Sequence, residues 1–85
     1  MSELRIIGLL ITDRIKEAGK AQEVLTRYAH IIKSRLGFHE VSESVCSRVG
    51  FIILQVIGNH EDFTNLINEL NDIRGIEVQQ MIFHY

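Results

Sequence analysis

The chain has 85 residues, 46% of them hydrophobic and 24% charged, with no proline and a formal net charge of −2. A chain this short forms a single domain, residues 1–85, with a small core that self-association would reinforce. The slightly negative balance argues against a nucleic-acid binder, and the sequence has no apolar run of about 18 residues and no signal-like leader, so a cytoplasmic protein without membrane or nucleic-acid partners is expected.

The stretch "ELRIIGLLIT" (3–12) is nearly continuous in aliphatic residues and reads as a strand apolar on both faces. Residues 13–29 change period: Ile15, Ala18, Ala21, Val24, Leu25 and Tyr28 recur at helical steps behind a plausible N-cap, Asp13. "HIIKSRLG" (30–37) predicts a shorter strand of mixed polarity, and "FHEVSES" (38–44) a connection. "CSRVGFIILQVIG" (46–58) is a second strongly apolar strand. Asn59 caps a helix whose stripe is Phe63, Leu66, Ile67, Leu70 and Ile73, with Gly75 as its stop signal. "IEVQQMIFHY" (76–85) is the last strand, alternating in polarity over 76–80.

The order β-α-β-β-α-β is that of the α+β ferredoxin-like split βαβ fold, an antiparallel sheet ordered 4-1-3-2 with both helices on one face. The chemistry agrees with this order. The two continuous apolar strands fall in the centre, and the strands carrying Lys33, Arg35, Glu77 and Gln79 fall at the edges, where charge discourages stray pairing. Helices on one side leave the other side bare, and a bare face should be polar. Here Ile6 and Leu10 oppose Ile7, Leu9 and Ile11, while Phe51, Ile53 and Ile57 oppose Ile52, Leu54 and Val56. Whichever set meets the helices, the other is an apolar patch larger than soluble monomers usually expose, so a homodimer or homotetramer built on stacked sheets is expected.

The four histidines and Cys46 are the candidates for metal chemistry. The topology puts His30, His60 and His84 at one end of the sheet and His39 and Cys46 at the other. His30 and His84 lie on opposite edges, about 14 Å apart, too far to share an ion with ligand bonds near 2 Å. His39 and Cys46 flank the hairpin between the second and third strands, and two ligands make a site only if a second subunit supplies more. No metal and no cofactor is assigned on this basis; a transition-metal-sensing module with an intersubunit site using His39 and Cys46 is the alternative reading. No nucleophile elbow, metalloprotease helix, phosphate loop or dinucleotide fingerprint occurs, so enzymatic activity is not expected.

The segments "RIIGLLITDR" (5–14), "LTRYAHIIKSRLGF" (25–38), "GFIILQVIG" (50–58) and "LNDIRGIEVQQMI" (70–82) resemble the iron-only hydrogenase system regulators, small ACT-like proteins, over essentially the whole chain. "YAHIIKSRLG" carries most of the resemblance, and Arg74 departs from the proline that precedes the glycine turn in many ACT-like domains. The resemblance implies an oligomeric regulatory subunit related to the effector domain of the nickel-responsive regulator. The closely spaced histidine pair of that regulator's nickel site is missing, so nickel sensing does not carry over. ACT-like domains bind small effectors at the first strand–helix loop against a neighbouring subunit. The matching residues are Thr12, Asp13 and Arg14, with His39 on the same rim, and Arg14 beside a helix N-terminus suits an anion. The residues themselves also allow Asp13 to be simply a helix cap and Arg14 a solvated side chain.

Overall fold

A computed structural model describes the backbone of residues 3–41 and 46–85, and their side chains apart from those of 14, 15, 38–41 and 46–48. The elements are β1 (Glu3–Ile11), α1 (Arg14–Arg27), β2 (Ile32–Val41), β3 (Cys46–Ile57), α2 (His60–Asn71) and β4 (Ile76–His84). Every sheet pairing is antiparallel and the strand order is β2-β3-β1-β4, so the expected ferredoxin-like arrangement, with β1 and β3 in the centre, is the one formed.

β2 is longer than its composition suggested. It runs through Val41 rather than stopping at Gly37, because pairing with β3 continues past Phe38 opposite Phe51 and His39 opposite Gly50 to Val41 opposite Cys46. β1 ends opposite Gly50, so β2 and β3 extend past it as a two-stranded ladder. A two-stranded ladder does not need the alternation of a sheet with one buried face, which is why these residues read as a loop.

The core fills one face of the sheet. Ile7, Leu9 and Ile11 of β1, with Leu54 and Val56 of β3, are buried against Ala21, Val24 and Leu25 of α1 and Phe63, Leu66 and Leu70 of α2. The α2 stripe is the expected one, and the Asn59 side chain accepts from the Asp62 amide at 2.8 Å, closing the helix start. In α1 the inward face differs from the expected one. Ala18 is exposed and Glu17 is buried, so the stripe runs Glu17, Ala21, Val24, Leu25, Tyr28. These positions keep helical spacing as well as the Ala18 series does, and the hydrophobic pattern passed over the carboxylate. The Ile15 side chain lies outside the described residues.

A second charge is buried in β1. Arg5 is only 7% exposed, with its guanidinium 4.3 Å above the Phe63 ring centroid. It donates to Gln80 Oε1 at 2.9 Å and to Glu3 Oε2 at 3.2 Å. A desolvated cation is costly unless paired, and here a carboxylate, an amide oxygen and a ring face share it. The helices are tied together on their outer side. The Tyr28 hydroxyl donates to Glu69 Oε2 and the Arg27 guanidinium donates to Glu69 Oε1. The bond from Tyr28, followed by that from Arg27, holds the Glu69 carboxyl below its ordinary 4.5, and the bond to Glu69 raises Tyr28 above its ordinary 10.0.

Two outcomes follow. Arg5→Ala should cost about 2–4 kcal/mol in urea unfolding, and Arg5→Met less, since the long side chain preserves packing against Phe63. Because Glu69 titrates lower in the folded chain than in the unfolded one, its contribution is present above pH 4.5 and is lost as pH falls through the native value. The stability difference between wild type and Glu69→Gln should therefore shrink below pH 4.5 in urea midpoints measured at stepped pH. A difference that stays constant down to pH about 2.5 would show that the Tyr28–Glu69–Arg27 cluster does not contribute through the carboxylate charge.

Candidate functional site

The expected effector rim lies where β1 passes into α1. The Thr12 amide and hydroxyl both donate to the Gly75 carbonyl, each at 2.9 Å, fastening the first strand–helix loop to the turn before β4. Gly75 takes φ +86°, and a Cβ there would sit 3.1 Å from Thr12 Oγ1. Glycine is needed at this position both for its backbone angle and for its lack of a side chain. The Asp13 carboxylate accepts from the Lys16 amide at 3.3 Å and its carbonyl accepts from the Glu17 amide at 2.9 Å, so Asp13 caps α1. Thr12 and Asp13 thus both have work in the fold, whatever else they bind.

The side chains of Arg14, His39 and Cys46 lie outside the described residues; their backbone positions are known. Arg14 opens α1. The row Ile76, Ile11, Gly50, His39 crosses the sheet, which puts His39 at the level where β1 ends but two strands away, about 10 Å. The four rim residues therefore share one end of the sheet, as two groups with β3 between them. His39 lies opposite Gly50 and Cys46 opposite Val41, so His39 and Cys46 are not register partners. Among the described residues no three His, Cys, Asp or Glu side chains cluster at ion-binding distance. At the other end, His30 approaches Asp62 at 3.6 Å and stacks beside Tyr28.

Glu17 is the rim residue that pattern reading missed. It is 4% exposed, its Oε2 has no hydrogen-bond partner among the described residues, and the exposed Lys20 ammonium lies 3.8 Å from it. A carboxylate in a first helical turn is favoured by the helix dipole, which offsets part of its burial cost. The only sequence signal for it was its four-residue step to Ala21.

The open face of the sheet is mostly apolar, as the alternation demanded, with Gln55, Glu77 and Gln79 as polar members. Leu36 is 57% exposed, Met81 57%, Phe83 48% and Phe51 38%, and Ile6, Leu10, Ile53 and Ile57 are half-buried among them. Gly8 leaves a gap in the middle of this face. A Cβ there would touch the Phe51 ring at 3.5 Å, and a shallow cavity of about 240 Å³ opens between Ile6, Phe51, Ile53 and Met81. Among the described residues no helix is long and apolar enough to cross a membrane.

No protein family and no curated protein matches the sequence. Solved structures match it in fold. An uncharacterized protein of Thermotoga maritima aligns with a TM-score of 0.83 at 21% identity, covering 99% of this chain and 100% of that one. CPII, a nitrogen regulatory PII-like protein from Thiomonas intermedia K12 solved with ADP, AMP and bicarbonate, gives 0.57 at 17% identity, covering 98% and 92%. SnoaB, a cofactor-independent oxygenase from Streptomyces nogalater, gives 0.58 at 8% identity, covering 100% and 94%. At these identities the likeness is one of fold, and this fold serves a regulator and an enzyme alike.

The Thr12–Gly75 clasp is directly testable. Gly75→Ala should cost about 1–2 kcal/mol through the forced left-handed backbone, and Thr12→Val about 1 kcal/mol through the lost hydroxyl bond. Both are read from urea unfolding, and a neutral Gly75→Ala would mean that the turn relaxes without loss.

Proposed function

We propose that the chain is a non-enzymatic, cytoplasmic regulatory module, a homodimer or homotetramer whose subunits associate through the open face of the sheet and bind a small effector at the rim of Thr12, Asp13, Arg14 and His39. The observation that carries the reading is the apolar face itself. Leu36, Phe51, Met81 and Phe83 stand exposed on it, with half-buried aliphatic groups between them. Burying several hundred Å² of such surface contributes on the order of 10 kcal/mol before association costs, which favours assembly.

Stacked sheets leave the β1–α1 loop at the border of the interface, where a neighbouring subunit can approach it. That would close the gap of two strands between His39 and the Thr12–Arg14 group from outside the subunit. The Oε2 of Glu17, buried with no donor among the described residues, supports a role for this rim, because such an acceptor gains from any ligand that brings a donor. The resemblance to regulators linked to iron-only hydrogenase systems supports a regulatory role, and the PII-like protein solved with ADP, AMP and bicarbonate is a regulator on the same fold.

Light scattering after size exclusion at micromolar concentration should return a dimer or tetramer. The double variant Phe51→Glu with Met81→Glu should fall apart into monomers while keeping its secondary structure by circular dichroism. A wild-type chain that is already monomeric would overturn the assembly reading, as would a variant that remains assembled.

A further inference from the structure

We propose that the groove between α1 and β2 is a separate ligand site for a small amphiphile with an anionic head, a carboxylate or phosphate, on a short apolar body. This groove is the larger of the two apolar-lined hollows described here, about 320 Å³, and it lies on the helical side of the sheet. Its volume is at the lower end of small-molecule sites, which begin near roughly 300 Å³.

The groove has a chemical polarity. Its floor is apolar: buried Leu25 from α1, Ala29 from the turn after it, and half-buried Ile32 from the start of β2. Its mouth is cationic, with exposed Lys33 and Arg35 side by side on the outer strand. Among the described residues no acidic side chain lines it, although the whole chain carries a net charge of −2. Two basic groups over an apolar floor complement a head-and-tail anion and reject an amine.

Arg35 is held in place for this role. It sits opposite Leu54 in the ladder, and its Nη1 donates to Gln22 Oε1 at 2.8 Å. Gln22 is steadied in turn by donating through Nε2 to Thr26 Oγ1 at 3.2 Å. That arrangement uses a single N–H of the guanidinium, which carries several more in a planar fork suited to carboxylate or phosphate. The ladder shifts register between Ile32 and Ser34, and such irregularities re-aim the side chain they contain, here Lys33. Because the groove lies on the opposite side of the sheet from the apolar open face, stacking of subunits on that face leaves it accessible. The proposal does not depend on the rim or on the assembly.

The test uses octanoate and octyl phosphate as probes, with octylamine as the cationic control, followed by methyl NMR of the full chain. At least one anion should saturate with a Kd of about 1 mM or tighter and shift the methyl signals of Leu25 and Ile32. The double variant Lys33→Gln with Arg35→Gln, at two exposed positions that do not support the core, should weaken binding roughly tenfold or more. Failure of both anions to saturate, equal binding of octylamine, or an unchanged affinity in the double variant would overturn the proposal.

Discussion

The strict alternation of side chains along a strand is the constraint on which the structure rests. β1 from Ile6 to Ile11 and β3 from Val49 to Ile57 are apolar at all positions but Gln55, so each must present aliphatic groups to both sides of the sheet. Two helices of 14 and 12 residues cover one side only. The core formed there is closed, with Ile7, Leu9, Leu54, Val56 and Phe63 wholly buried. The opposite side repeats the same chemistry without a cover. Central position and two-sided hydrophobicity are a single fact: a strand buried on both faces in an assembly, or at a sheet centre, has no polar side to show.

Within the closed half, polar groups mostly hold elements together. Thr12 joins the first loop to the last turn, Asp13 and Asn59 start the helices, and Glu69 of α2 holds Arg27 at the end of α1 and Tyr28 just after it. Arg5 goes further, occupying the core side of β1 beneath Phe63. Such groups are weak evidence of function, because removing any one of them exposes a structural reason for its presence. Glu17 differs from them, since its Oε2 is buried without a hydrogen-bond partner among the described residues, and for that reason it adds to the interest of the rim more than the exposed residues beside it do.

The two ends of the sheet and its two faces give the molecule separable surfaces. The rim with Thr12–Arg14 and His39 lies at one end, the Tyr28–His30–Asp62 group at the other. The apolar face and the basic-mouthed groove lie on opposite sides. A small fold shared by a PII-like regulator and an oxygenase leaves function to such surfaces, and they are where this chain's own residues must be read.

Much of the fold was legible in the residues. The helix of Phe63, Leu66 and Leu70 with its Asn59 cap, the glycine stop at Gly75, and the central placing of β1 and β3 all follow from local patterns, because caps, periodicity and alternation are set by neighbours in sequence. The candidate site was less so. That Thr12 closes on Gly75, that His39 stands two strands from the loop it was grouped with, and that Gln22 fixes Arg35 over a groove are relations between segments far apart in the chain. The extent of β2 and the burial of Glu17 and Arg5 belong with them. A polar residue carries the same local signal whether it meets water, a ring face or a partner strand, and only packing of the whole chain decides which it meets.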